Sequence, residues 1–288
     1  MEIISQLTLN SIIAGAIYTL MALGFNLIYG VVKFFNLAHG VVAVIGGYTV
    51  FLLTGALGLN LYLSVAAGVV FSGLAGYVFD KFVFLPLRRR KTSSMVLLVA
   101  SLGVFPSVQA VIAIFFTSEF RTLGAVSAGE DIYSFSGGVI TQTQLIILIS
   151  GMLIMLGLTT VLNRTIFGKA IKAINDDAEV ARIVGIDTDR ITGRVFFIGS
   201  AIAGFAGILV GFDTGIQPTM GMGLLLKGVI ASIIGGVGNI YGGVLGSFLL
   251  GFVENFGIWK VPGEWKEAIA FFLLILFLLV RPEGIMKR

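Results

Sequence analysis

Six stretches of about 20 residues contain no Asp, Glu, Lys or Arg: Leu7–Gly30, Gly40–Leu57, Leu61–Phe79, Met95–Phe116, Gln144–Leu162 and Val195–Phe212. A helix rises about 1.5 Å per residue, so roughly 20 apolar residues cross the hydrocarbon of a bilayer. Only helices and closed barrels satisfy every backbone group in lipid, which confines such a chain to those two architectures. A barrel would alternate in segments of about ten residues, and none occur. Composition agrees: 57% of residues are hydrophobic and 12% charged, against about 25% charged in a soluble domain. The first run is too long for a signal-peptide core and has no basic region before it, so it reads as mature structure.

Short basic clusters stay in the cytoplasm, and Arg88–Lys91 is the strongest such cluster. From that anchor Met95–Phe116 runs outward, and residues 117–141 form an external loop with Glu119, Glu130, Asp131 and a single Arg121. Gln144–Leu162 returns, which puts Asn163–Arg194 inside. Val195–Phe212 leaves again, and the last helix, Ala268–Val280, ends before Arg281, Lys287 and Arg288, also inside. Residues 224–257 must then cross an even number of times. GGVGNIYGG, Gly235–Gly243, is the break between two short helices or a re-entrant pair. This arrangement keeps 15 of the 19 basic residues inside. It predicts an all-α polytopic protein, one domain over residues 1–288, with about eight crossings and an external N-terminus. Lys33–Leu57 has a second reading as a broken helix that enters and leaves on one side.

Asn163–Arg194 is the one long segment suited to water. It holds six Lys/Arg and five Asp/Glu, about a third of the 34 charged residues in a ninth of the length. Ile171, Ile174, Ala178, Ala181 and Val184 recur at spacings of three and four, with Lys172, Asp176, Glu179 and Arg182 on the other side. That is the pattern of short amphipathic helices. Asp176 or Asp177 can cap the second one, Gly185 can end it in the left-handed conformation, and Asp187 or Thr188 can cap the helix that re-enters the membrane. A helix lying on headgroups is one reading. Five acidic residues favour a protein partner instead. No GxxxxGK[ST] occurs: Gly168-Lys169-Ala170 lacks the upstream glycine and the magnesium-binding hydroxyl.

The loop resembles the coupling loop of ABC importer permeases, with DAEVARIVGID (Asp177–Asp187) over its motif. Asp177 stands where Glu is commonest. More closely, the chain resembles the LivH-type permease subunits of the branched-chain amino acid ABC importer family. The resemblance rests on FFNLAHG (Phe34–Gly40), GKAIKAINDDAEVARIVGI (Gly168–Ile186), GGVGNIYGGVLGSFLLGFVE (Gly235–Glu254) and RPEGIM (Arg281–Met286), in that order. It implies a homologous second permease, two cytoplasmic ATPases that use ATP and magnesium, and a periplasmic or extracellular binding protein. It places the chain in a bacterial inner membrane, with no cofactor and no catalytic residue of its own. Lys172, Asp176, Asp177, Glu179, Ala181, Arg182 and Gly185 would then meet the ATPase. The net charge of +4 follows from basic inner loops and does not imply nucleic acid.

Small polar residues within spans are the candidate lining of a substrate path: Asn26, Ser101, Gln109, Ser232 and Asn239. The competing role for each is a helix-to-helix hydrogen bond of roughly 0.6 kcal/mol. Glu254, Asp213 and Lys227 are placed where they reach interfacial water, since a charge at mid-membrane costs about 2.5–3.5 kcal/mol. An ion-coupled secondary transporter would use Glu254 or Asp213 instead, and a same-family importer could carry urea or an amide. His39, the sole histidine, has no second ligand near it in sequence, so no metal site is expected.

Overall fold

The hub of the fold is α1, Glu2–Val32, whose 31 residues start five earlier than the first uncharged run. Of its most apolar 18-residue window 89% is buried, although lipid would have accepted it exposed. The computed structural model describes residues 2–123, 132–135 and 137–286. Glu130, Asp131, Lys287 and Arg288 therefore lie outside the described residues.

After α1 the chain is non-helical from Lys33 to Leu37 and then forms α2, Ala38–Phe51, extended by a π turn over Leu52–Ala56. Open backbone inside a membrane protein must find partners in the protein. Here Ser101 supplies one: its Oγ accepts from Leu37 N (3.1 Å), while its own proton goes to Leu98 O (2.7 Å) in its own helix. The Tyr48 ring of α2 packs on Phe116 (4.9 Å between centroids), at the opposite end from Ser101 of the helix Ser94–Phe116, so α2 runs on across the bundle. The reading in which Lys33–Leu57 returns to its starting side does not hold.

The third span is α3, Leu61–Phe79, which does not stop at Asp80 and Lys81 as expected. It continues through a π turn, Asp80–Phe84, into α4, Leu85–Arg89. Asp80 is buried there because Arg88 donates to it at 2.6 Å. Then follow α5 (Ser94–Phe116), an unanticipated antiparallel hairpin β1 (Ile132–Phe135) and β2 (Gly138–Thr141), and α6 (Gln142–Arg164). The charged loop carries α7 (Ile166–Asp176) and α8 (Ala178–Ile183), and α9 is Thr188–Asp213. The glycine-rich break separates α10, Met220–Gly235, from α11, Ile240–Gly257, and α12 is Lys266–Val280.

Among the described residues seven helices are long and apolar enough to cross a membrane, and α10 and α12, with 16 and 15 residues, are shorter. The seven alone and the seven with this shorter pair bracket the expected number of about eight. Helix contacts rely on missing side chains: a Cβ on Gly24 would stand 2.6 Å from the Gly199 carbonyl oxygen. The carbonyls that end α10 are closed by the C-terminal segment, with Ile285 N on Ile234 O (2.9 Å) and Met286 N on Gly235 O (3.0 Å). That gives RPEGIM a structural task.

Candidate functional site

The charged loop folds as two capped helices. Thr165 accepts from Gly168 N (3.0 Å) and starts α7; Asp177 accepts from Glu179 N (2.8 Å) and Val180 N (3.0 Å) and starts α8. Gly185 follows at φ +90°, and Asp187 caps α9 by accepting from Arg190 N (3.0 Å). The cap at Asp177, the stop at Gly185 and the cap at Asp187 are those expected from sequence, and the Thr165 cap is an addition.

The inward face differs from the expectation. Ile171, Ile174 and Ala181 are buried, but Ala178 and Val184 are exposed. Ala181 thus holds α8 against the bundle and is covered, whereas Lys172, Asp176, Asp177, Glu179, Arg182 and Gly185 are exposed. Arg182 also donates to Thr188 Oγ1 at 3.0 Å, bracing α8 on α9. What sequence reading missed is an outward apolar knob: Val180, Ile183 and Val184 are 54%, 82% and 70% exposed. On α8 and the residue that follows it, these three aliphatics form an exposed apolar spot in the middle of the charged loop.

Two polar chains tie this loop to the membrane helices. Lys33 Nζ donates to Asn175 Oδ1 (2.5 Å), joining α1 to α7. Lys172 Nζ donates to Asn163 Oδ1 (2.7 Å), and Asn163 Nδ2 donates to the Tyr241 hydroxyl (3.0 Å) on α11. Asn26 grips the same turn by accepting from Gly238 N (2.8 Å) and donating to Asn239 O (3.3 Å). A cavity of about 390 Å³, lined by Asn26, Asn163, Lys172 and Tyr241 among others, lies between these groups. Displacement of α7 therefore bears directly on the α10–α11 turn.

The residues proposed for a path are used locally. Asn26 and Ser101 hold the two helix breaks, Asn239 caps α11 by accepting from Gly242 N (3.1 Å), and Ser232 donates to Gly228 O within α10 (2.7 Å). Gln109 lies half-buried on α5. Asn26 and Asn239 line the same cavity near the α10–α11 turn, and Ser101, Gln109 and Ser232 do not join them there.

Glu254 and Lys227 behave otherwise than expected, whereas half-buried Asp213 does not. Glu254 is fully buried, not at interfacial water: it accepts from Tyr18 Oη (2.7 Å) and pairs with Lys227, which lies within α10 and not at its start. Lys266 Nζ stands 4.0 Å from the same carboxylate. Asp213 accepts from Gln144 Nε2 at 3.1 Å. The available signal was topological: Lys227 and Lys266 are two of the four basic residues that charge placement leaves outside. Among the described residues no group of three or more His, Cys, Asp or Glu is placed to hold a metal.

A family model described as the branched-chain amino acid transport system / permease component matches residues 7–278. The chain belongs to this family. The permease is 32% identical over 295 residues to the high-affinity branched-chain amino acid transport system permease protein BraD of Pseudomonas aeruginosa. It is equally close to LivH of Escherichia coli K12, and each alignment covers 98% of the chain and 95% of the relative. Among solved structures, PsaBC from Streptococcus pneumoniae in complex with Fab has a TM-score of 0.53 at 12% identity, covering 95% of this chain and 91% of that one. That likeness shows a shared fold. A component of a multi-part system is not a self-contained ion-coupled carrier, so the secondary-transporter alternative falls.

Gly185 offers a direct test of the loop. A Cβ there meets nothing within 4 Å, so Gly185→Val acts through its backbone alone, where φ is +90°. A β-branched residue in that region is strained by about 1–3 kcal/mol. We expect normal membrane insertion of Gly185→Val permease, a displaced α8, and uptake reduced at least tenfold. Uptake within twofold of wild type would show that the end of α8 need not be fixed.

Proposed function

We propose that this permease is the membrane subunit of an ATP-driven importer for branched-chain aliphatic amino acids in a bacterial inner membrane. The full-length identity to BraD and LivH carries the substrate class. ATP and magnesium belong to partner ATPases, one of which seats on α7 and α8. A second, homologous permease completes the path, and a soluble binding protein delivers the amino acid from outside.

The exposed knob of Val180, Ile183 and Val184 carries the coupling assignment. A helix on headgroups would surround these aliphatics with basic residues, yet Asp176, Asp177 and Glu179 are exposed beside them and anionic lipid repels them. A groove on a protein partner can take the knob and pair both signs of charge around it.

Ile183→Asp tests this. Removing a residue at the centre of an interface costs about 2 kcal/mol or more when it is a hot spot, so the ATPases should co-purify at least tenfold less while the permease itself melts unchanged. Full retention of ATPases and of L-leucine uptake in Ile183→Asp would refute the assignment.

A further inference from the structure

The outer half of the permease contains a cavity of about 380 Å³ between α1, α6, α9, α10, α11 and the start of α12. It lies at the opposite end of the helices from α7 and α8. Volumes of about 300–1,000 Å³ are typical of small-molecule sites. Ile17 and Leu224 give it apolar wall, and its ionic groups are of opposite sign: Lys266 and Asp213.

The charge on Lys266 is not needed to neutralise its neighbour. Glu254 already has Lys227 on Oε1 and the Tyr18 hydroxyl on Oε2, so both carboxylate oxygens are satisfied. Lys266, at 4.0 Å from Oε2, is outside hydrogen-bond range and 35% exposed. Of these three charged groups only Lys266 lines the cavity, so it presents its ammonium to the wall beside an ion pair that is already satisfied. Ionisable groups placed this way in a membrane protein mark ligand pathways more often than scaffolding. Asp213, held by Gln144, supplies the opposite charge at the end of α9. Asn255, buried and bonded to its own helix through Gly251 O (2.8 Å), completes the polar side.

We propose that this cavity is a receiving site for a zwitterionic aliphatic amino acid, with its carboxylate toward Lys266, its ammonium toward Asp213 and its side chain against Ile17 and Leu224. This deepens the reading under Proposed function and rests on it for the aliphatic class. The site is distinct from Asn26, Ser101, Gln109, Ser232 and Asn239, none but Asn26 and Asn239 of which border a described cavity, and that one lies at the other end.

The test uses the assembled transporter in nanodiscs without binding protein, probed by saturation-transfer NMR with L-leucine, leucinol (no carboxylate) and 4-methylpentanoate (no ammonium). Wild type should bind leucine at least tenfold more tightly than either analogue. Lys266→Gln should bring leucine down to the level of leucinol, and Asp213→Asn should bring it down to that of 4-methylpentanoate. Lys266→Arg should keep the preference within threefold. Equal binding of leucine and its analogues by wild type, or an unchanged preference in both neutral variants, overturns the proposal. If Lys266→Gln does not assemble, Asp213→Asn decides through its ratio of leucine to 4-methylpentanoate binding. Leucine uptake in proteoliposomes separates the two levels of the argument. Uptake by wild type with both neutral variants unchanged sinks the site and leaves the importer reading. No leucine uptake, with analogue preferences shifting as stated, sinks the substrate class and leaves a zwitterion site.

Discussion

Glu254→Leu is expected to destabilise the permease by about 3–5 kcal/mol, because it leaves Lys227 buried without its counter-charge. Lys227 has little alternative: its side chain is 13% exposed and its ammonium lies 6.0 Å from the Tyr18 ring centroid. The double variant Glu254→Leu/Lys227→Leu removes both charges and should recover most of the loss, since well-packed apolar replacements of buried pairs are often neutral. Thermal melts of the purified protein in one detergent measure all three. Equal instability of the single and double variants would mean that shape, not charge, is what the cluster contributes.

Gly235→Ala is expected to prevent folding, although it adds one methyl group. The Cβ would fall on the backbone carbonyl of Gly242, and a Cβ on Gly242 would in turn strike the carbonyl of Gly235. Backbone cannot step aside as a side chain can, so the cost exceeds the usual overpacking penalty of about 1–3 kcal/mol. We expect at least a tenfold loss of monodisperse protein after extraction. Gly103→Ala is the matched control, because nothing lies within 4 Å of its Cβ. There the helix should gain about 0.5–1 kcal/mol. Similar yields for the two variants would show that α10 and α11 can separate without loss of the fold.

Particular residues show where sequence reading succeeds. Asp177, Gly185 and Asp187 act within three residues of where they stand, as caps and a left-handed stop, so local chemistry suffices to place them. The break at Gly235–Gly243 is of the same kind. Glu254 is the opposite case. Its partners are 27 and 236 positions away, and nothing local distinguishes a carboxylate about to be buried from one at an interface. Ser101 likewise acquires its role from Leu37, 64 residues distant. Val184 satisfies the helical periodicity of an inward face, yet it lies after the last residue of α8, where the helix has ended and the periodicity no longer applies.

By itself the sequence determined the class of fold, most of the spans and the capped loop, because each depends on transfer free energy or on bonding over a few residues. Tertiary structure alone decided which polar groups meet: Lys227 and Lys266 on Glu254, Asn163 between Lys172 and Tyr241, and the two ionic walls of the outer cavity. In lipid every spanning helix is apolar enough to face any neighbour. Only the packing of backbones at glycine contacts chooses among those faces, and with them the site.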